Sequence, residues 1–197
     1  ALKAKYDELT SALDDPALRE TFSAIWEQVV RVREIEDRNA TIETEIGRLT
    51  DHSIEQSNAF LQQVSEKLAD EYERESVSRL ERLVIAGASV NTSSSYDVKL
   101  LFERLKGNLK LEDQLLTFLD TLLQNVEQDY QRLEGTPFAD MARTARESNQ
   151  RVRELCLEYI GNMKTLQMIQ ASALGDIEKS LAAVDAASMA GQTSLFE

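Results

Sequence analysis

The side chains able to do covalent or metal chemistry are few. The 197-residue chain has one cysteine, Cys156, and one histidine, His52. This excludes a disulfide framework, a zinc cluster of cysteines and histidines, and any catalytic triad away from His52. His52 is expected near a turn and exposed, and Cys156 is expected as a small core residue on an apolar helix face. The sequence therefore predicts a protein that is not an enzyme and that holds no metal and no cofactor.

The composition limits the fold and the partners. There are 35 Asp and Glu against 22 Lys and Arg, a formal charge of -13, which argues against nucleic acid as a partner because phosphate contacts need a basic surface. Seven glycines and two prolines are too few for the turns of a sandwich or barrel. No apolar run approaches the roughly 18 residues of a membrane span. Together with helical periodicity over almost the whole chain, this predicts an all-α protein.

Two interruptions of the periodicity lie in the first third of the chain. Asp15 and Pro16 suit an N-cap and a first helical position. Ser53 with Gln56 matches a capping box, which predicts a break at 47–53 and a third helix from Ser53 to Lys106.

Three later interruptions contain glycine. Gly107 is expected to end the third helix, and Gly135, Thr136 and Pro137 combine a stop, an N-cap and a first helical position. Gly161 gives a weaker break. The remaining helices are therefore predicted at 109–133, 138–160 and 163 to about 190.

The predicted third helix is too long for one short bundle. Its about 54 residues would span roughly 80 Å. Long antiparallel helices forming one or two four-helix bundles stacked end to end would bury it. The chain is then one elongated helical domain, with a lower module at about 1–75 plus 177–197 and an upper module at about 76–176.

The middle of the third helix is small and polar. Residues 87–97 read GASVNTSSSYD, which are poor helix formers because serine and asparagine compete for backbone hydrogen bonds. One interpretation is a loop near residue 90. The other is an uninterrupted helix, which the heptad of apolar residues on either side favours.

The predicted turns place polar residues of four helices at one height. Reflecting residue 91 through each turn gives residues near 124, 147 and 176, the last with Ser172, Gly175 and Asp176 around it. A buried polar layer needs partners, and a small polar ligand would supply them, with Arg146 gripping a carboxylate. The alternative is a layer that only fixes the helix register. The candidate ligand-binding residues are Asn91, Ser94, Thr121, Asn125, Arg146 and Asn149.

The segment RLERLVIAGASVNTSSSYDVKLLFERLKGN (79–108), with this turn pattern, resembles the helical bimodular and four-helix-bundle sensor domains of bacterial chemoreceptors and sensor histidine kinases. The resemblance implies a periplasmic domain between two transmembrane helices, which lie outside this chain, and a homodimer in the receptor. It also implies a small-molecule ligand, often an organic acid or amine, and a small helix displacement as the signal. The family is usually longer, and its basic residues early in the first helix have only Lys3 and Lys5 as counterparts here.

A rival hypothesis is a cytoplasmic coiled-coil or helical-bundle adaptor without a small-molecule site. The residues Gln192, Thr193, Ser194, Leu195 and Phe196 resemble the short peptide with which bacterial proteins dock into the DNA polymerase sliding clamp. Clamp docking would be a special case of the adaptor function. Transmembrane segments in the parent chain would favour the sensor domain.

Overall fold

The computed structural model describes residues 2–12, 16–69 and 79–193, and the all-α prediction is confirmed there: no strand occurs in these ranges. The apolar stripes of the sequence form long amphipathic helices. In chain order the helices are α1 (Leu2–Ala12), α2 (Pro16–Ala69), α3 (Arg79–Gly107), a 3₁₀ turn (Leu109–Leu111), α4 (Glu112–Leu133) and α5 (Ala139–Thr193). No described helix is both long and apolar enough to cross a membrane.

The predicted break at 47–53 is wrong, because α2 runs straight through it. A glycine inside a helix costs about 1 kcal/mol relative to alanine. The burial of Ile42, Ile46 and Ile54 on one face outweighs that cost. The hydroxyl of Thr50 also donates to the carbonyl of Ile46 at 2.8 Å. Of the predicted third helix, residues 53–69 therefore belong to α2 and residues 79–106 to α3, and residues 70–78 lie outside the described ranges.

The predicted break at Gly161 is also wrong, since α5 continues through it. Tyr159 and Ile160, each 4% exposed, anchor the helix immediately before the glycine. The predicted fifth and sixth helices are thus one helix of 55 residues. By contrast, the continuous reading of 87–97 is confirmed, because α3 is helical throughout.

The turn between α4 and α5 forms as the sequence predicted. Gly135 has φ +75°, a left-handed conformation that favours glycine. The Thr136 hydroxyl donates to the Leu133 carbonyl at 2.6 Å and accepts from the Phe138 amide at 3.2 Å. These bonds close α4 and start α5.

The chain divides into two compact units, of residues 1–38 with 162–197 and of residues 39–161. We call them unit 1 and unit 2. The expected lower module at about 1–75 plus 177–197 and upper module at about 76–176 stay predictions. End-to-end stacking stays a prediction.

Unit 2 is a four-helix bundle made of α3, α4 and parts of α2 and α5. Phe102 of α3 meets Tyr159 of α5 edge-on, with ring centroids 5.0 Å apart. Near the α4–α5 turn, Phe60 and Phe138 pack edge-on at 6.0 Å. The interior also contains buried aliphatic side chains from all four helices: Ile42, Ile46, Val84, Val98, Leu105, Leu115, Leu119, Leu122, Val126, Val152 and Leu155.

Unit 1 contains α1, the first part of α2 and the last part of α5. The rings of Tyr6 and Trp26 stack with centroids 4.6 Å apart. Ile25 and Val29 stay 52% and 42% exposed, beside a groove that Ile169 of α5 also lines. The described part of unit 1 therefore has exposed apolar side chains.

Two glycine substitutions test the helix continuity at 161. Alanine at Gly161 meets nothing within 4 Å, so Gly161→Ala is expected to raise the free energy of unfolding by about 0.5–1 kcal/mol. Gly135→Ala, the matched control, is expected to lower it by about 1–2 kcal/mol because its φ is positive. Urea denaturation followed by circular dichroism measures both. A loss of stability in Gly161→Ala would contradict a continuous α5.

Candidate functional site

Five polar residues from three helices meet inside unit 2, and we call them the Asn91 cluster: Ser53, Ser57, Asn91, Ser95 and Asn149. The Asn91 amide nitrogen donates to the hydroxyls of Ser53 at 2.8 Å and Ser57 at 3.0 Å. The Ser95 hydroxyl donates to Ser53 at 3.3 Å. Asn149 donates to the Asn91 side-chain oxygen at 3.4 Å and to the Ala145 carbonyl at 2.8 Å. The cluster therefore joins α2, α3 and α5.

The predicted polar layer is right at some of its positions. Asn91 and Asn149 meet as expected. On α3 the buried hydroxyl is that of Ser95, while Ser94 is only half-buried. Thr121 and Asn125 are exposed on α4, which turns its apolar side inward at this height. Ser172, Gly175 and Asp176 belong to unit 1.

Arg146 does not take its predicted position in the layer. Its Nε lies 2.6 Å from an Oε of Glu127, and its guanidinium lies 5.0 Å from the centre of the Tyr130 ring. Both partners belong to α4, so the side chain lies across the α4–α5 seam with its charge already paired. The expected grip of Arg146 on a ligand carboxylate is therefore not available inside the bundle.

Ser53 and Ser57 are the members of the cluster that the sequence reading missed. Ser53 was interpreted as an N-cap, yet its hydroxyl faces the interior. The signal was present in the spacing, because Ile42, Ile46, Ser53 and Ser57 follow one helical stripe through Gly47.

A cavity of about 60 Å³ adjoins the Asn91 cluster. Ser57 and Asn91 line it as well as belonging to the cluster, and Asp129 and Arg132 add charged groups from α4. An engineered apolar cavity of about 150 Å³ binds benzene, so this smaller space suits waters or a ligand of a few heavy atoms. The rest of its lining is mostly apolar: Leu83, Val84, Gly87, Ala88, Val126, Leu133, Met141, Ala142 and Ala145.

A second set of polar side chains links α2 and α3 near the end of α3. Lys106 of α3 donates to Glu43 of α2 at 2.8 Å and to Glu103 at 3.0 Å. The hydrogen bond that Lys106 donates to Glu43 is the main cause that raises the pKa of Lys106. Burial, followed by the charge of Glu43, raises the pKa of the Tyr159 hydroxyl. These groups link helices and reach no cavity described above.

Cys156 is a buried thiol, as predicted, and burial raises its pKa to about 12. A thiol that stays protonated is a poor nucleophile and a poor metal ligand. His52 is exposed, as expected, but it lies inside α2 and not near a turn. Within the described residues no group of three or more His, Cys, Asp or Glu side chains is arranged to hold a metal ion.

No protein-family model, curated protein or solved structure matches this chain. The predicted clamp-docking peptide lies mostly outside the described residues, which end at Thr193. The Asn91 cluster with its cavity is therefore the feature on which a functional proposal can rest.

Asn91 connects the cluster, so its loss has a defined cost. Asn91→Ala is expected to lower the free energy of unfolding by about 1–3 kcal/mol, because Ser53, Ser57 and Asn149 lose a buried partner. Asn125→Ala removes the same side chain from an exposed position and is expected to change it by less than about 0.5 kcal/mol. Urea denaturation of both variants measures the difference. Equal costs would contradict a connecting role for Asn91.

Proposed function

We propose that this chain is the extracytoplasmic ligand-binding domain of a bacterial transmembrane receptor, a chemoreceptor or a sensor histidine kinase. In this proposal it lies in the periplasm and binds a small polar molecule. The observation that carries the proposal is the cavity beside the Asn91 cluster. Its walls are apolar, and a few polar groups converge on it, which is the usual composition of a small-molecule site.

The proposed signal depends on which helices line the cavity. Ala142 and Ala145 of α5 and Ser57 of α2 are part of the lining. These two helices also contribute to unit 1, so a ligand in the cavity touches helices that extend beyond the bundle. A ligand shifts a helix only if it binds one position more tightly than the other, and displacements of about 1–2 Å suffice in known switches.

Binding to the purified chain tests the proposal. Small acids and small amines are added, and the melting temperature and NMR spectrum are followed. Asn91→Ala is expected to abolish the response and Asn125→Ala to preserve it. A response that is unchanged in Asn91→Ala would rule out this site. If no probe binds, the sensor proposal loses its support.

We also propose that a second copy of the chain covers the exposed apolar side chains of unit 1. These side chains lie on both long helices: Phe22, Ile25, Val29, Val30, Met168 and Leu174. Ile25 and Val29 line one groove with Ile169, and exposed apolar surface of this kind is typical of an interaction site. A homodimer would bury the same patch on both copies, as a twofold interface requires.

Sedimentation equilibrium tests the dimer. The double variant Ile25→Ser with Val29→Ser is expected to raise the dimer Kd by about tenfold or more, because two apolar anchors become polar. Leu100→Ser, at an exposed position of unit 2, is the control and is expected to leave the Kd unchanged. A wild-type chain that stays monomeric at high concentration would refute the dimer.

One observation favours the rival adaptor function. The hydrogen bonds of the Asn91 cluster are made among its own members and the Ala145 carbonyl, as a layer that only fixes helix register would need. Under that function no small molecule binds and Asn91→Ala affects stability alone. The binding experiment above separates the two functions.

A further inference from the structure

The charges and hydrogen-bonding groups around the cavity distinguish between ligand classes. We infer that the cavity selects a small protonated amine rather than a carboxylate. The inference rests on the proposed function, since it specifies the ligand of that same site. Its argument uses three features: one carboxylate, the donor and acceptor inventory of the Asn91 cluster, and the apolar walls.

Asp129 supplies the negative charge. It faces Gly87 across the cavity wall, because a Cβ added to Gly87 would lie 3.3 Å from its Oδ2. The other oxygen, Oδ1, lies 3.5 Å from Nη1 of Arg132. That distance is long for a charge-assisted hydrogen bond, which is usually about 2.7–2.9 Å. The Arg132 side chain is 58% exposed and that of Asp129 37%, so the carboxylate is the better shielded of the two charges.

The amide donors of the Asn91 cluster are already used. The two N–H groups of Asn91 point to Ser53 and Ser57, and those of Asn149 point to Ala145 and Asn91. Asn91 Oδ1 receives only a long bond of 3.4 Å and keeps accepting capacity. An ammonium group has three donors and no acceptor, whereas a carboxylate needs donors. The two amide groups of the cluster therefore complement an ammonium better than a carboxylate, and the Ser57 hydroxyl, which can donate or accept, favours neither.

Arg146, the cation that the sequence suggested for a carboxylate, lies 2.6 Å from Glu127 and does not line the cavity. The walls formed by Val84, Ala88 and Ala142 suit a short alkyl group. The net charge of -13 also raises the concentration of cations near the surface. The size of the cavity, its apolar walls and the charge of the protein thus all favour a small alkylamine as the ligand.

The test compares three probes of similar size: ethylammonium, acetate and ethanol. Each is titrated into the full chain at pH 7 and low salt, and amide shifts are followed by NMR, because so small a ligand binds with about millimolar Kd at best. Ethylammonium is expected to shift the NMR signals of backbone amides around the cavity. Acetate and ethanol are expected to cause far smaller shifts at the same concentration. Asp129→Asn is expected to raise the Kd for ethylammonium by about tenfold or more. Asp97→Asn, an exposed carboxylate of α3, is the matched control.

Gly87→Ala is a second variant, and its result does not depend on whether the Asp129→Asn variant folds normally. Alanine is the better helix former, so the variant is expected to melt no lower than wild type while its methyl group crowds Asp129. Its ethylammonium binding is expected to fall by about tenfold or more, and unchanged binding overturns the inference.

The probe results separate two failures. Binding of acetate in preference to ethylammonium overturns the amine class and leaves the proposed function standing. Equal binding of ethanol and ethylammonium does the same, because the charge would then contribute nothing. Binding of none of the probes overturns both the inference and the ligand site.

Discussion

Leu155→Ala is expected to lower the free energy of unfolding by about 2–5 kcal/mol. Leu155 is 0% exposed inside unit 2. Removing its side chain forfeits the transfer free energy of the lost carbons and leaves a cavity that the neighbouring helices fill only in part. A cost of this size is a large share of the stability of a typical domain, which is about 5–15 kcal/mol.

The same helix offers a matched control for Leu155. Leu157 lies two residues further along α5 and is 39% exposed, so its side chain points away from the core. Leu157→Ala is expected to cost less than about 1 kcal/mol, because an exposed side chain leaves no enclosed cavity when it is truncated. Urea denaturation of the two variants under one set of conditions gives the comparison. Similar costs would mean that α5 packs in a different rotation from the one described.

Raising the pH from 8 to 10 is expected to lower the free energy of unfolding by about 1.4 kcal/mol through Cys156 alone. The folded protein raises the pKa of this thiol from 9.0 to about 12 by burial. Above pH 9 the unfolded chain releases the proton while the folded chain keeps it. The unfolded state then binds fewer protons, so stability falls as the pH rises, and the loss levels off above about pH 12.

Two other groups act in the same direction at higher pH. The pKa values of Tyr159 and Lys106 are also raised in the folded protein, from 10.0 and 10.5, so their contributions are lost above about pH 10. Their losses begin near the top of the range from pH 8 to 10, so the difference between wild type and Cys156→Ala over that range isolates the thiol. Cys156→Ala removes the group, and its free energy of unfolding should fall much less than that of wild type. An equal slope in wild type and variant would show that the Cys156 thiol is not shielded from water.

The sequence correctly predicted the helix end at Gly135, where the backbone geometry requires a turn. It wrongly predicted helix ends at glycines that lie inside continuous helices. Gly135 adopts a positive φ and is followed by a capping threonine, so the turn has no helical alternative. Gly47 and Gly161 each cost their helix about 1 kcal/mol, which buried neighbours such as Ile46 and Tyr159 easily exceed. A glycine alone does not contain the information about those neighbours.

The sequence predicted the level along the bundle at which Asn91 and Asn149 meet, but not which face of each helix points inward. Reflection through the turns correctly brought Asn149 level with Asn91. It could not say which side of α4 or α5 faces inward, because successive residues of a helix are rotated by about 100°. Thr121, Asn125 and Arg146 were chosen by height, and they point outward or along a seam. Ser53 and Ser57 were missed because a break was placed in α2.

The walls of the cavity separate ligand choice from folding. Gly87, Ala88, Ala142 and Ala145 are small residues on the lining. Many single-base changes at such positions alter one methyl or hydroxyl group on the wall while Leu155 and its aliphatic neighbours stay intact. Under the proposed function, mutational drift at the lining would change which ligand fits. A lineage of such domains would then diversify in what it recognises while its scaffold stayed the same.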